Sequence, residues 1–375
     1  MIRASIPFRA WPTLLLPRFL AGLRFRAWLR LLRHHRWRVD PAFVPRAAVV
    51  TVATLGTSLL ARFEERQERR LLRRGFNAEA WERPIFILSR GRSGSTHLHG
   101  LLARDARFAY ASRFDAFHPH TFLTRRRLGL EALYCLARPR ARTMDAVQVH
   151  WFSPEEDDIA VALLLGLGLR LSAVFPRETA YPQPAEAQTA ALRHLMRKLV
   201  MLHGKPVVLK SPSHLGRVPS LLAAFPAARF VLLVRNPRDE FRSKVAMLAS
   251  PAPLWCALQW PRTRAPRAVA ANMAKAVATY EAARAMIPSA QQVEVRYEDL
   301  VADEAGTLRR IYAALGVAAP TWLDAAAAEA ARRGYRRNQP PPLDAEMAAM
   351  LREACAPLYA RGLYAPPVAD DAASR

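Results

Sequence analysis

The segment "FILSRGRSGSTHL", Phe86 to Leu98, decides the fold class, because an apolar strand leads through a glycine- and hydroxyl-rich loop into a helix. A helix N-terminus presents unpaired backbone N–H groups and a partial positive charge, so a glycine-rich turn in front of it binds anions. Glycines allow close backbone approach to a phosphate, and an arginine fork grips two oxygens. The alternative is a tight turn that only starts a helix. The predicted anion ligands are Arg90, Gly91, Arg92, Ser93, Gly94, Ser95 and Thr96.

The loop departs from the ATP-binding pattern G-x-x-x-x-G-K-[ST]. Ser89 stands where that pattern has its first glycine, and Ser95 stands where it has its lysine. No apolar strand of the sequence ends in an aspartate placed to hold magnesium. The sequence therefore predicts a site for a phosphate-like group that works without the usual lysine and without a metal ion.

Four short apolar segments predict a mainly parallel sheet. They are "PIFIL" (84–88), "PVVLK" (206–210), "FVLLV" (230–234) and "VEV" (293–295). Helical patterns separate them, around 96–104, 154–170, 187–202, 239–249, 267–286 and 303–315. This alternation predicts an α/β protein with a P-loop-like three-layer fold, preceded by an N-terminal helical region.

A second candidate anion site follows the strand "FVLLV". The segment "RNPRDEFRS" runs from Arg235 to Ser243 and begins at the carboxyl end of that strand. Open α/β sheets bind their ligands at these strand ends. If the segment is helical, Arg235 and Ser243 lie about two turns apart. The two side chains are then expected to reach a second phosphate.

Two phosphate sites on neighbouring strands, with no metal, resemble the sulfotransferase family. "RSGST" (92–96) is similar to the family's 5′-phosphosulfate loop, and "RNPRDEFRS" is similar to its 3′-phosphate motif. "LKSPSHLGRVPSLLAAFPAARFVLLVRNP" (209–237) and "RYEDLVADEAGTLRRIYAALGV" (296–317) also resemble the family, and the likeness covers roughly residues 82 to 340. The first of these segments looks most like the bacterial and the carbohydrate- or peptide-modifying branches.

The resemblance implies an enzyme that moves a sulfuryl group from 3′-phosphoadenosine 5′-phosphosulfate (PAPS) to a hydroxyl or amine. The transfer is in-line, needs no metal, and leaves 3′,5′-ADP. The acceptor stays open among small molecules, glycans, lipids and peptides. Two other functions remain open as well: an ATP-dependent kinase without its usual loop lysine, and an inactive nucleotide- or lipid-binding protein.

The resemblance also implies roles for single residues. Arg92 would stabilise the leaving group, and Arg235 and Ser243 would bind the 3′-phosphate. Lys210, at the end of a strand, would contact the sulfuryl group or a phosphate. Asp115 is the candidate base, since it is the only acid in "YASRFDAFHPH", where the family usually has glutamate. The alternative bases are His118, His120 and His214. In "GYRRNQPPP", Arg336 or Arg337 is expected to contact a phosphate, unless the segment is an ordinary basic surface loop.

The composition narrows the choice of partners and compartment. Fifty-six Lys and Arg residues against 31 Asp and Glu give a net charge of +25, which favours anionic partners. The sequence contains no recognisable nucleic-acid-binding motif, so we predict no nucleic-acid partner. Its three cysteines, Cys135, Cys256 and Cys355, make neither a disulfide framework nor a zinc site. A reducing cytoplasm is therefore expected.

The N-terminal 80 residues differ in composition from the rest. Residues 1–46 carry ten arginines and one acid, Asp40, among Trp, Phe and Leu residues. Two interpretations stay open for this basic stretch: a helix on an anionic membrane surface, or a helix packed on the main domain. The uncharged stretch Ala47–Ala61 is fifteen residues long. A span needs about twenty, so a buried helix or a shallow insertion is expected.

We accordingly predict three regions. Residues 1–80 form a basic, apolar helical region, residues 81–365 form the sulfotransferase domain, and residues 366–375 form a disordered tail. If residues 1–61 contact a membrane, they do so peripherally, and the protein then lies at the cytoplasmic face of that membrane.

Overall fold

A computed structural model describes residues 15–136, 140–141, 148–166, 168, 171–177, 183–250, 252–261, 266–323 and 343–369. The predicted phosphate contacts Arg336 and Arg337, and residues 370–375 of the predicted tail, lie outside these ranges. The chain folds into two compact units, each made of several segments. We call Met1–Asn77, Ala111–Gly204 and Ser250–Thr263 the helical unit, and Ala78–Tyr110, Lys205–Ala249 and Arg264–Arg375 the sheet unit.

The elements are numbered in chain order. The strands are β1 (Ile85–Ser89), β2 (Ala109–Tyr110), β3 (Arg140–Ala141), β4 (Gln148–Val149), β5 (Val207–Lys210), β6 (Arg229–Val234) and β7 (Gln292–Arg296). The helices are α1 (Phe25–His34), α2 (Val44–Leu72), α3 (Ala78–Glu82), α4 (Ser95–Leu102), α5 (Arg113–Phe117), α6 (Phe122–Arg127), α7 (Ala132–Cys135), α8 (Asp157–Leu164), α9 (Leu171–Val174), α10 (Ala185–His203), α11 (Val218–Ala224), α12 (Pro237–Ala249), α13 (Pro266–Met286), α14 (Tyr297–Ala302), α15 (Glu304–Leu315), α16 (Ala345–Ala354) and α17 (Ala356–Ala360). Short 3₁₀ helices include Arg18–Gly22, Pro41–Phe43 and Pro212–Arg217.

The sheet unit is built on a parallel sheet, which in the described residues has five strands in the order β2-β5-β1-β6-β7. β1 lies at its centre, where Ile85 is in register with Val208 of β5 and Arg229 of β6. All four predicted strands are confirmed. β2 was not predicted, because its two residues are too few to show a pattern and are ordered by pairing with Val207 and Val208.

Helices cover both faces of the sheet. On one face, Ile87 and Val231 pack with Leu98 of α4 and with Leu308 and Ile311 of α15. On the other face, the Phe86 ring stacks on Phe230, with ring centroids 5.6 Å apart. Phe225, directly after α11, lies 6.0 Å from Phe86 on that same face. The predicted three-layer α/β fold with a mainly parallel sheet is therefore confirmed, and both predicted anion segments follow its central strands.

The helical unit contains the N-terminal helices together with residues 111–204 and 250–263. The N-terminal helical region therefore does not form a unit of its own, because α2 packs against α6 and α10. In α1, Trp28, Leu31 and Leu32 are buried and the arginines are exposed. The apolar side of this basic helix thus packs within the helical unit, and its arginines form an exposed basic face. The three cysteines are free thiols.

Two helices differ from their predicted bounds. The predicted helix 154–170 is found as Asp157–Leu164, because Pro154 pairs with Ser112 in an isolated antiparallel bridge and the Ser153 hydroxyl accepts a hydrogen bond from the His150 N–H. The uncharged stretch Ala47–Ala61 belongs to α2, which is 29 residues long and includes most of the mixed-charge stretch that follows. By length and composition alone, residues 41–72 meet the requirement for a membrane span, as core helices of soluble proteins also do.

Candidate functional site

The loop after β1 has the backbone of an anion cradle. Gly91, Arg92 and Gly94 have φ angles of +77°, +59° and +85°, so the chain takes the left-handed conformation three times in four residues. Such turns direct successive N–H groups to one side, where they bind anions. α4 begins at Ser95, immediately after the loop, and adds its N-terminal N–H groups.

Glycine is required at position 94 for a second reason. A Cβ added there would lie 2.1 Å from a ring carbon of Tyr297, which packs directly over the loop. Tyr297 follows β7 and starts α14, so the loop is closed from the side by a residue about 200 positions away in the sequence. Its contact with Gly94 was not visible from local patterns.

Ser93 is the residue of this loop that most directly indicates a ligand. The residue is fully buried, and its Oγ has no hydrogen-bond partner among the residues that the structure describes. A buried hydroxyl without a partner is energetically unfavourable and needs an explanation. A phosphate or sulfate oxygen in the cradle would accept its hydrogen bond, so the residues present fit a phosphosulfate group.

The two predicted motifs meet at the sheet edge. Arg92 Nε donates a 3.0 Å hydrogen bond to Ser243 Oγ, and Arg235 Nη1 donates a 3.0 Å hydrogen bond to the carbonyl of Arg92. The Arg235 guanidinium also lies over the ring of Tyr297, 4.9 Å from its centroid. The structure thus brings the predicted 5′ and 3′ phosphate ligands together, as the adjacency of β1 and β6 requires.

Arg90 has a different environment from the one predicted. Its side chain is completely buried and forms an ion pair with the equally buried Glu240, with 2.8 Å between Nη2 and Oε2. Nη2 also donates to the carbonyl of Arg235 at 3.1 Å, and Lys244 Nζ donates to the carbonyl of Arg90 at 3.1 Å. Because the charge of this guanidinium is neutralised by the buried Glu240 carboxylate, we correct its assignment: Arg90 supports the loop from behind.

Two further arginines belong to this site and were not singled out by the sequence analysis. Arg238 and Arg242 are half-buried and one turn apart on α12, within the 3′-phosphate motif itself. Burial, and then the positive charge of Arg238, lower the pKa of Arg242. Their i, i+4 spacing in "RNPRDEFR" was the available signal. A bound anion would offset these two positive charges.

Lys210 ends β5, the strand on the other side of β1, and His214 lies in the 3₁₀ helix that follows. Lys210 is buried, and its Nζ lies 3.4 Å from the Thr96 hydroxyl of α4. This contact places the lysine at the 5′ loop. His214 is fully buried, with its ring edge-on to Phe86 and Arg217 Nη2 3.1 Å from its Nδ1. Because arginine only donates, His214 accepts at Nδ1 and carries its proton on Nε2.

Glu298, in the first turn of α14 after β7, is hydrogen-bonded to the 3′-phosphate motif. Its Oε1 accepts a 2.9 Å hydrogen bond from the backbone N–H of Asn236, and its Oε2 accepts one of 2.8 Å from Tyr364. Asn236 directly follows Arg235, so this carboxylate fixes the turn that carries the arginine. The segment "RYED" resembled the family in sequence, but no single residue in it was assigned this role.

The remaining candidate bases lie in the helical unit. Asp115 is buried in the first turn of α5, where it forms a capping box with Ser112. Its Oδ2 accepts from the Ser112 N–H and hydroxyl, and its Oδ1 pairs with Arg126 at 2.9 Å. A carboxylate has about four acceptor positions, so these three bonds leave one.

His118 and His120 are poorly suited to take up a proton. Burial, and then the charge of Arg125, hold the pKa of His118 well below its ordinary value. Burial, and then the charge of Arg24, lower the pKa of His120 to about 3. His120 Nε2 also lies 3.3 Å from the carbonyl of Leu163, to which it donates as a neutral ring. We therefore set both histidines aside as bases.

The sheet has two anion cradles at the ends of adjacent strands: the loop after β1 and the segment Arg235–Ser243 after β6. This arrangement is typical of α/β phosphate-binding proteins. The sequence profile of the Sulfotransferase family matches residues 84–321. The chain belongs to this family, and it is an enzyme that transfers a sulfuryl group. The match covers every strand of the parallel sheet and both cradles.

Individual relatives agree with this assignment. The chain is 26% identical over 328 residues to the omega-hydroxy-beta-dihydromenaquinone-9 sulfotransferase Stf3 of Mycobacterium bovis, and equally to that of Mycobacterium tuberculosis, covering 84% of this chain and 83% of the relative. Among solved structures, sulfotransferase STF9 from Mycobacterium avium aligns over 93% of this chain and 98% of its own, with a TM-score of 0.62 and 16% identity. STF1 from M. tuberculosis H37Rv aligns over 89% and 92%, with a TM-score of 0.57 and 20% identity. These two share the fold.

Proposed function

We propose that the sulfuryl donor is PAPS, that transfer needs no metal ion, and that the acceptor is a hydroxyl group on a lipid-like molecule. The observation that carries the donor assignment is the joining of the two anion cradles through Arg92, Ser243 and Arg235. A donor with a 5′-phosphosulfate and a 3′-phosphate on one ribose presents two anionic groups, and this arrangement matches them.

The donor would be held at both ends by this chain's own groups. The loop N–H groups, the Ser93 hydroxyl and the N-terminus of α4 would bind the 5′ end. Arg235, Ser243 and the paired cations Arg238 and Arg242 would bind the 3′ end. The contact of Arg235 with Tyr297 and the hydrogen bond from Asn236 to Glu298 fix this part of the 3′-phosphate motif before the nucleotide binds.

When bound, PAPS supplies an activated sulfuryl group, with 3′,5′-ADP as the leaving group. Arg92 and Lys210 supply the cationic charge that offsets negative charge developing on the bridging oxygen. Each such group typically contributes about 10²–10³ in rate. Because both side chains are held by hydrogen bonds within the sheet unit, little reorganisation is needed during transfer.

We propose Asp115 as the base that takes the acceptor's proton. Its capping bonds and its ion pair with Arg126 fix the carboxylate, and these bonds leave one acceptor position on Oδ1 for the hydroxyl. His214 is the less suitable candidate, because Arg217 occupies the lone pair of Nδ1. Asp115→Asn keeps the size of the side chain and removes its basicity. We expect it to lower kcat by about 10²–10⁴ and His214→Gln to lower it less. The reverse order would make His214 the base.

The lipid-like acceptor is proposed from the relative Stf3, whose name gives a hydroxylated menaquinone derivative as its acceptor. We extend to this chain only the chemical class, a primary or secondary hydroxyl on a long apolar molecule. A hydroxylated isoprenoid quinone and a long-chain alcohol are the matched probes for this class, and a monosaccharide and a tyrosine peptide are the contrasting ones.

The deciding experiment measures transfer of radioactive sulfate from labelled PAPS to each probe in the presence of EDTA. We expect transfer to the apolar alcohols, loss with Arg92→Ala or Arg235→Ala, and full activity with Arg310→Ala, an exposed arginine of α15. Thermal stabilisation by 3′,5′-ADP in EDTA tests the donor site separately. At a hundred times its dissociation constant the nucleotide adds about 2.7 kcal/mol.

Each part of the proposal can fail by itself. Stabilisation by ATP with magnesium but not by 3′,5′-ADP would overturn the donor. Activity abolished by EDTA and restored by magnesium would overturn the metal-independent transfer. Transfer to the sugar or the peptide in preference to the alcohols would overturn the acceptor class. Tight 3′,5′-ADP binding with no transfer to any probe would mean that the chain binds the nucleotide without the proposed activity.

A further inference from the structure

Up to Phe63, α2 of the helical unit exposes mainly apolar side chains and buries several polar ones. Its buried seam repeats every three or four residues and contains Arg46, Val50, Thr54, Thr57, Ala61 and Glu64. The opposite face is exposed and contains Ala48, Val52, Leu55, Leu59 and Phe63. Val52, Leu55 and Leu59 are 71%, 50% and 56% exposed. A helix on the surface of a water-soluble domain normally has the reverse arrangement.

The polar seam is fully engaged inside the helical unit. Arg46 Nη1 donates to the carbonyls of Leu254 and Ala257 at 3.1 and 2.7 Å. Glu64 forms a buried ion pair with Lys198 and accepts hydrogen bonds from the backbone N–H groups of Leu123 and Thr124. A transmembrane position for α2 would break these contacts and leave Arg46 and Glu64 in hydrocarbon. The helix therefore stays packed on its unit, with one apolar face outward.

Arginines of α1 border this apolar face. A groove between the two helices is lined by Arg24, Arg26 and Arg62 together with Phe25, Leu55, Ser58 and Leu59. Arg26, Arg30 and Arg33 have no carboxylate partner within the described part of the chain, and the sequence has no acid before Asp40. One surface thus combines exposed leucine and valine side chains with unpaired cations.

We propose that this surface, formed by the exposed face of α2 and the arginines of α1, docks the enzyme peripherally on an anionic lipid bilayer. The chemistry of the surface selects this occupant. A bilayer with anionic headgroups offers negative charge at the level of the arginines and hydrocarbon just below it, where the leucines insert. Contiguous apolar surface of this kind marks an interaction site rather than an ordinary solvated face.

The docking surface is independent of the proposed reaction, so it is tested without PAPS or acceptor. The full-length protein is mixed with vesicles of phosphatidylcholine alone, or of phosphatidylcholine and phosphatidylglycerol in equal parts, and binding is measured by flotation. We expect binding to the anionic vesicles, weaker binding to the neutral ones, and a decrease at high salt, which screens the arginines.

Two double variants separate the apolar and the electrostatic contributions to vesicle binding. Leu55→Ser with Leu59→Ser is expected to lower the partition coefficient at least about tenfold, because two inserted side chains are lost. Arg26→Gln with Arg30→Gln is expected to lower it about fivefold per arginine on anionic vesicles only. The matched control, Arg104→Gln with Arg310→Gln, removes the same charge from exposed arginines of the sheet unit and should bind as the parent protein does.

Several results would overturn the proposal. They are absence of binding to anionic vesicles, binding that neither α1 nor α2 variant weakens, and an equal loss in the matched control. Two others identify a different occupant. A dimer in solution that the leucine variant dissociates would show that a second copy covers the face. Resistance of the expressed protein to carbonate extraction would show a spanning helix.

Discussion

Arg92 and Ser243, which lie 151 positions apart in the sequence, are joined by a 3.0 Å hydrogen bond from Nε to Oγ. One residue belongs to the loop after β1 and the other to the helix after β6. The bond fixes the guanidinium where the loop after β1 meets the helix after β6. Ser243 therefore positions Arg92 in addition to its predicted role at the 3′-phosphate.

The first prediction separates these two roles. Arg92→Ala should lower kcat by about 10²–10³, because charge on the leaving group is no longer offset. Ser243→Ala should weaken 3′,5′-ADP binding and lower kcat by less than tenfold, since the cation remains but is held less firmly. Steady-state kinetics with PAPS and calorimetry with 3′,5′-ADP measure the two effects. Equal losses of kcat in both variants would contradict the division of roles.

Two glycine-to-alanine substitutions test whether the backbone of the loop after β1 binds the nucleotide. Gly94→Ala should abolish stabilisation by 3′,5′-ADP, because the new Cβ would meet the Tyr297 ring and φ at this position is +85°. Gly100→Ala is the matched control, since Gly100 lies in the same region of chain, in α4, with nothing within 4 Å of an added Cβ. The control should bind the nucleotide normally and gain up to about 1 kcal/mol in unfolding free energy. Normal nucleotide binding by Gly94→Ala would refute the cradle geometry.

The buried ion pair behind the loop gives a stability prediction. Glu240→Gln leaves Arg90 without its counter-charge inside the protein, which should cost about 3–5 kcal/mol of unfolding free energy. Glu346→Gln removes one partner of an exposed pair with Arg267 in the same unit and should cost less than about 1 kcal/mol. Urea denaturation of the two variants and the parent protein provides the comparison.

A double variant then tests the supporting role of Arg90. Arg90→Met with Glu240→Leu replaces the ion pair by apolar side chains and should recover much of the stability lost in Glu240→Gln. It should nevertheless bind 3′,5′-ADP more weakly than the parent, because the bond from Arg90 to the carbonyl of Arg235 is gone. Unchanged nucleotide affinity in the double variant would show that Arg90 contributes to stability alone.

The strands and the two anion motifs could be predicted because their signals are local. Short apolar runs such as "FVLLV" and a glycine-rich turn such as "RSGST" carry their structural preference within a few residues. The fold class and the adjacency of the two cradles followed from them. The separate roles of Arg90 and Arg92 did not, since both are arginines in one loop and only the packing of Glu240 distinguishes them.

Other features depend on tertiary partners that no local pattern specifies. β2 is ordered by two residues of β5, and the closure of the loop depends on Tyr297, which enters from α14. For α2, composition alone suggested a buried or membrane-inserted helix. Its inward polar seam became visible only when Arg46 and Glu64 had their partners in place.

The last prediction concerns stability against pH. His120, whose pKa is lowered to about 3, is neutral in the folded protein at pH 5 but protonated in the unfolded chain, where the ordinary value of about 6.5 applies. The unfolded state therefore binds more protons between these two values. The stability due to neutral burial is complete above pH 6.5 and is lost as the pH falls, by about 1.4 kcal/mol per pH unit for each such histidine.

His120→Gln tests this directly. An amide N–H can replace Nε2 as the donor to the carbonyl of Leu163, while the titrating group is removed. We expect the unfolding free energy of the variant, measured in urea between pH 7.5 and pH 4.5, to fall less steeply than that of the parent protein. His34→Gln, at an exposed position at the end of α1, is the matched control. His118 remains in the variant and, with its pKa also lowered by burial, still contributes its own part, so the dependence on pH should decrease without disappearing.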